Sequence, residues 1–147
     1  MRAKMKKIEY YVWQDVCRTG IQSIDEDHER FFAIYNVFVR LFADDPAGVE
    51  THHLYRAVVS YVQLHFHAEE VLMDQYCYPE REAHCKEHHR FSQTWEKYEA
   101  LVVQGTIEVY ELMGVLRDWL KHHIPEHDLR FGHYVLLEND KAKKRGE

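Results

Sequence analysis

Apolar residues recur along this chain at helical spacing, and no segment alternates as a half-buried strand would. Four long segments emerge. The first opens at SIDEDHERFF, where Ser23 followed three residues on by Glu26 has the form of a capping box, and it closes before Asp44-Asp45-Pro46. Its apolar stripe is Ile24, Phe31, Phe32, Tyr35, Val39 and Phe42. The second runs from about Val49 to Tyr76, ahead of Pro79, with Leu54, Val58, Tyr61, Val62, Leu72, Met73 and Tyr76 in register. The third spans about Glu80 to Gln104, with Gly105 as its stop and Phe91, Trp95, Tyr98 and Val102 inward. Thr106 caps a fourth, whose stripe is Val109, Leu112, Met113, Leu116, Trp119 and Leu120, until Pro125 interrupts it. A short C-terminal helix from Asp128 to Glu138 follows. The pattern predicts an all-α, up-down-up-down four-helix bundle over residues 23–140. Residues 1–22, with Tyr10, Tyr11, Val12 and Trp13, are expected as an N-terminal arm packed on it, and residues 141–147 as a charged tail.

The stripes matter most where polar residues break them. His28 sits between Ile24 and Phe32; His65 and Glu69 continue the Leu54, Val58, Tyr61 series; His84 and His88 precede Phe91 and Trp95; His123 extends Leu116 and Leu120. Asp128 lies five residues further on, beyond Pro125, where a broken helix can turn a carboxylate back inward. A buried, unpaired carboxylate costs several kcal/mol, and clustered imidazoles leave nitrogens unsatisfied, so something must compensate them. The pairs His65/Glu69 and His84/His88, each four residues apart, put two donor atoms on one helix face within reach of a shared cation. Five imidazoles and two carboxylates exceed one four-coordinate zinc site. With both carboxylates bridging and one bridging hydroxide, they fill all but one position of two six-coordinate ions. His122 stands beside His123 but faces away, toward Asp118.

Composition narrows the reading. A chain of 147 residues with 46% hydrophobic and 14% aromatic content holds one well-filled domain. Its net charge of -6 argues against nucleic acid as a partner. The N-terminus lacks the apolar run of a secretory signal, and FFAIYNVFVRLFA is broken by Asn36 and Arg40 and is short of the roughly 20 residues a membrane span needs. Three cysteines, Cys17, Cys77 and Cys85, read as free thiols in a reducing cytoplasm, where the protein is expected.

These segments resemble the hemerythrin family, in its prokaryotic single-domain form. The resemblance covers about Trp13 to Leu136 and rests on GIQSIDEDH, HFHAEEVLM, YPEREAHCKEHHRF and WLKHHIPEHD in that order. It implies a non-haem di-iron centre, its two iron ions bridged by Glu69, Asp128 and a hydroxide or oxide. His84, His88 and His123 would complete one iron; His28 and His65 would hold the other and leave it a position for dioxygen, bound reversibly as hydroperoxide. Ile24, Phe32, Trp119 and Leu120, a turn from the ligands, are expected to wall the dioxygen pocket. A carrier, storage or delivery protein is implied rather than an enzyme, with an oxygen-consuming or redox protein as a candidate partner. The chain closes at AKKRGE soon after the last helix, which favours a free carrier over a fused sensor.

Two other metal patterns fit less well. His84 to His88 is also H-x-x-E-H, a zinc-peptidase signature, but that reading leaves His28, His65 and Glu69 buried without a role. A ferritin-like oxidase needs Glu-x-x-His on two helices, and only Glu50-Thr51-His52-His53 has that spacing. A hemerythrin site used for sensing, or for reducing dioxygen, peroxide or nitric oxide, has the same ligands. The histidines at 52, 53, 67, 89, 127 and 133 are expected at the surface, and Tyr61 is expected to pack in the core rather than to offer its hydroxyl to the metal.

Overall fold

The computed structural model describes residues 10–12, 14, 17–45 and 48–146, apart from the side chains at 49, 51 and 52; Trp13 and the side chain of His52 thus lie outside it. Among the described residues five α-helices form: α1 (Gln22–Asp44), α2 (Val49–Gln75), α3 (Arg81–Val103), α4 (Val109–His123) and α5 (Leu129–Arg145). α1 lies along α2 and α3 along α4, closing the expected bundle. The boundaries of α1 to α4 fall within about two residues of the sequence reading, whereas α5 runs on to Arg145, past the expected end at Glu138; Gly105 stops α3 with φ 71°, a conformation glycine adopts without a Cβ penalty.

Three local expectations are overturned. Ser23 and Glu26 do not form the capping box: α1 starts at Gln22 after Ile21, with no side-chain cap on its first turn. Asp25 instead reaches back along the arm, accepting from Thr19 N–H at 2.7 Å, Thr19 Oγ1 at 2.8 Å and Gly20 N–H at 3.1 Å. Three donors satisfy one buried carboxylate better than the single return bond of a capping box. Thr106 does not cap α4; Glu108 does, and its N–H donates to the Glu111 carboxylate at 3.1 Å. Pro125 does not break the last helix. A single π turn, Ile124–Asp128, joins α4 to α5, shown by Leu129 N–H donating to the Ile124 carbonyl five residues back. The wider turn accommodates a residue that lacks an N–H and crowds the preceding turn of an α-helix. The chain therefore stays helical to Arg145.

The apolar core is in two parts. The larger joins Phe31, Phe38, Val58, Val62, Phe91, Leu112, Leu116, Leu120 and their neighbours; the smaller joins Ile24, Met73, Tyr78, Phe131 and Val135. Six of the seven predicted ligands fall between residues of the two, and His65 sits one residue before Phe66 at the edge of the larger. His28 lies between Ile24 and Phe31, Glu69 between Phe66 and Met73, His84 and His88 between Tyr78 and Phe91, and His123 and Asp128 between Leu120 and Phe131. A layer of polar side chains thus cuts the hydrophobic core crosswise. The arm closes one side. Tyr11 stacks on Phe32 with ring centroids 3.9 Å apart, and its backbone pairs with the Asn36 side chain at 2.8 and 2.7 Å. Thr19 passes so close to α5 that a Cβ on Gly132 would stand 2.2 Å from its carbonyl oxygen.

Candidate metal centre

All seven predicted ligands reach this layer, each no more than 4% exposed. α1 contributes His28, α2 His65 and Glu69, α3 His84 and His88, and α4 His123. Asp128 arrives by way of the π turn. In a regular α-helix, residues five apart differ in direction by about 140°, so His123 and Asp128 could not share a face. The π turn, closed by an i→i+5 hydrogen bond, fits more residues into each revolution and brings them together, His123 Nε2 lying 2.9 Å from Asp128 Oδ1.

The donor atoms form two groups that share both carboxylates: Glu69, His84, His88, His123 and Asp128, and then His28, His65, Glu69 and Asp128. Asp128 faces both ways. Its Oδ1 is 3.1 Å from His84 Nε2, and its Oδ2 is 3.1 Å from His28 Nε2. Glu69 Oε2 lies 3.2 Å from His88 Nε2, 3.5 Å from His84 Nε2 and 4.0 Å from His65 Nε2.

Protons alone satisfy this arrangement poorly. Three Nε2 atoms converge, His84 and His88 standing 3.0 and 3.2 Å from His123. Despite these approaches, both Glu69 oxygens and Asp128 Oδ1 are buried without a hydrogen bond of sound geometry from the described residues. A cation resolves both problems at once. Neighbouring donors on a six-coordinate ion with bonds of about 2.1 Å lie about 3.0 Å apart, against about 3.4 Å on a tetrahedral one. The separations in the three-histidine group run from 2.9 to 3.5 Å, and all but that of Glu69 from His84 lie at 2.9–3.2 Å, nearer the first.

The charges are matched as well. Burial and the neighbouring Asp128 push the Glu69 carboxyl up, but His84, His88 and His65 outweigh them and hold it well below the usual carboxylate range. Burial opposes ionisation of Asp128 too, and His123, His28 and His84 overcome it. Burial disfavours the His84 imidazolium, yet Asp128 and Glu69 carry its pKa up to about 9, whereas at His123 burial prevails and lowers it. Anionic carboxylates among imidazoles are what a divalent or trivalent cation needs.

Two further carboxylates escaped the sequence reading. Asp27 Oδ2 lies 3.2 Å from His65 Nδ1, and Glu70 Oε1 lies 3.0 Å from His88 Nδ1. Each meets the ring nitrogen opposite the one aimed at the layer, where a carboxylate can only accept, so a ring proton on Nδ1 would leave Nε2 free to ligate. The His65 hydrogen bond lowers the Asp27 pKa most; partial burial opposes it, and Tyr61 and Arg30 lower it further. The one signal in the sequence was adjacency, Asp27 preceding His28 and Glu70 following Glu69.

The residues expected around dioxygen are placed as follows. Ile24, Phe32 and Leu120 are buried, while Trp119 is half-buried and stacks on His123 with centroids 4.0 Å apart. Phe66 stacks flat on His88 at 4.0 Å, and Phe31 meets His65 edge-on at 5.0 Å. His127, expected at the surface, is half-buried with its ring 5.0 Å from His123, because the π turn carries it toward the three-histidine group. His53, His67, His89 and His133 are exposed as expected, and His122 turns to the Asp118 carbonyl at 2.7 Å. Tyr61 packs edge-on against Phe31 at 5.1 Å, and its hydroxyl donates to Asp27.

Comparison with known proteins points to one family. The model of the hemerythrin HHE cation binding domain matches residues 19–132. The bacteriohemerythrin of Pseudomonas paraeruginosa is 34% identical over 122 residues, covering 81% of this chain and 77% of that protein. That of Stenotrophomonas maltophilia is 32% identical over 125 residues, covering 84% and 80%. A crystal structure of wild-type hemerythrin superposes with a TM-score of 0.72 at 26% identity, over 84% of this chain and 96% of that one. With the domain match spanning all seven inward donors and about a third of the residues identical over most of its length, the chain belongs to the hemerythrin family.

Proposed function

We propose that the chain binds dioxygen reversibly at a di-iron centre, as a carrier, store or delivery protein rather than as an enzyme. The observation that carries this reading is the unequal division of donors: five side chains converge on one side of the layer and four on the other, with two carboxylates common to both. His84, His88 and His123 would hold one iron with Glu69 and Asp128. His28 and His65 would hold the other with the same carboxylates, leaving that side short of a donor. Two ferrous ions would supply the electrons that make dioxygen binding both tight and reversible.

The protein's part is to orient and to exclude water. Asp27 and Glu70 keep His65 and His88 as Nε2 donors. Ile24, Phe32 and Leu120, with Trp119 over His123, surround the layer with apolar surface, which keeps water and stray protons from the ions. No helix among the described residues is long and apolar enough to cross a membrane.

The test is metal analysis of purified protein with its visible absorption followed as the anaerobically reduced form meets dioxygen and is then degassed. About two irons per chain and a band that appears with dioxygen and disappears on degassing are expected. Irreversible decay to an inert oxidised form would favour a sensor or reductase; zinc alone, at about one per chain, would overturn the di-iron reading.

A further inference from the structure

The two-histidine side of the layer is connected to the protein surface by a chain of hydrogen bonds, and this chain assigns roles to residues outside the ligand set. Asp27 precedes His28 on α1, a turn of about 100° that points it at α2 rather than into the core. There its Oδ2 meets His65 Nδ1 at 3.2 Å, while Oδ1 accepts from the Tyr61 hydroxyl. Arg30 completes the set: its Nη1 donates to the Tyr61 hydroxyl at 3.2 Å and lies 3.6 Å from Asp27 Oδ1. Asp27 is 22% exposed and Arg30 60%, so one end of the chain is in solvent and the other at a buried donor.

An imidazole that ligates through Nε2 must carry its proton on Nδ1, and the group opposite Nδ1 decides whether it does. An acceptor-only carboxylate enforces that tautomer. A partly exposed aspartate left alone would exchange His65 for water; Tyr61 and Arg30 occupy its other oxygen and hold it in place. We propose that Asp27, held by Tyr61 and Arg30, is a positioning residue that keeps His65 an Nε2 donor and so governs how firmly the two-histidine side retains its metal. This rests on the two-ion reading above.

The test compares wild type, Asp27→Asn, Tyr61→Phe and Glu70→Gln, each loaded anaerobically with ferrous iron and challenged with a bipyridine chelator. An asparagine at 27 can turn its amide N–H toward Nδ1 and favour the tautomer that cannot ligate. Loss of one ion per chain should then accelerate by about 10- to 100-fold while the other keeps its wild-type rate. Tyr61→Phe should accelerate the same ion by a few-fold, and Glu70→Gln the other ion only. In cobalt(II)-loaded protein the exchangeable Nδ1–H resonance of His65 should weaken in Asp27→Asn and return in Asp27→Glu, which general loosening would not produce. Should Asp27→Asn fail to fold, Tyr61→Phe carries the same comparison. Unchanged release in both variants, or equal acceleration of both ions, overturns the inference and leaves the two-ion reading standing. A wild-type protein that retains fewer than two ions overturns both.

Discussion

The two sides of the polar layer are built from the same residue types to different ends. On the three-histidine side, His84 Nε2 and His88 Nε2 stand within 3.0 and 3.2 Å of His123 Nε2, and flat aromatic contacts from Phe66, Trp119 and His127 cover the His88 and His123 rings. On the two-histidine side, His28 and His65 meet edge to face with centroids 5.1 Å apart, and His65 Nε2 is still 4.0 Å from Glu69. The first group is crowded enough for one ion to reach all its members. The second is looser, with one donor fewer, and is tied to the surface through Asp27. On the proposed reading, an ion on the first side would draw five donors from the protein and one on the second four, so the second would have the more room for an exogenous ligand.

The largest test of this contrast is removal of the metal. A bound ion stabilises the folded state by about 4 kcal/mol when free metal is a thousand times its dissociation constant, which for a chain of this size moves the melting temperature by roughly 8–16 °C. Exhaustive chelation should lower the melting temperature by at least that much, read by calorimetry. An unchanged melt would mean that protons satisfy the layer and that neither side is built for an ion. Next in size is the difference between shared and unshared ligands. Asp128 turns one oxygen to each side, so Asp128→Asn should take metal content from about two ions per chain to below one, while His28→Ala should leave about one. Elemental analysis decides it, and an Asp128→Asn protein that keeps both ions would show that the carboxylate does not join the two sides.

The inward ligands were legible in the sequence because burial of a helix face is periodic: each interrupts an apolar stripe at the spacing that keeps it inside. Asp27 and Glu70 were not legible for the same reason. Each lies one residue from a ligand, on a helix face that periodicity assigns to solvent, and only the approach of a neighbouring helix gives it a histidine to meet. Pro125 misled because proline is normally read as a stop, whereas the wider π turn both tolerates it and supplies the rotation that aligns Asp128 with His123. Ser23 and Glu26 have the form of a cap, but Asp25 found more donors in the arm, a tertiary contact that local sequence does not encode.

The smallest expected effect asks whether the looser side depends on the arm. Thr19 holds Asp25, one turn before His28, and crosses α5 where a Cβ on Gly132 would lie 2.2 Å from the Thr19 carbonyl oxygen. Backbone gives way less readily than a side-chain tip, so Gly132→Ala must push the arm outward, at a cost of about 1–3 kcal/mol for an overpacked site. Displacement of Thr19 would release Asp25 and loosen the first turn of α1, which carries the strain toward His28. The three-histidine side draws on α2, α3, α4 and the π turn and has no ligand on α1. Gly132→Ala should therefore lower the melting temperature by several degrees and modestly hasten loss of one ion, leaving the other at its wild-type rate. Equal weakening of both would mean that the layer responds as a single unit, and the distinction between its two sides would then lie in donor number alone.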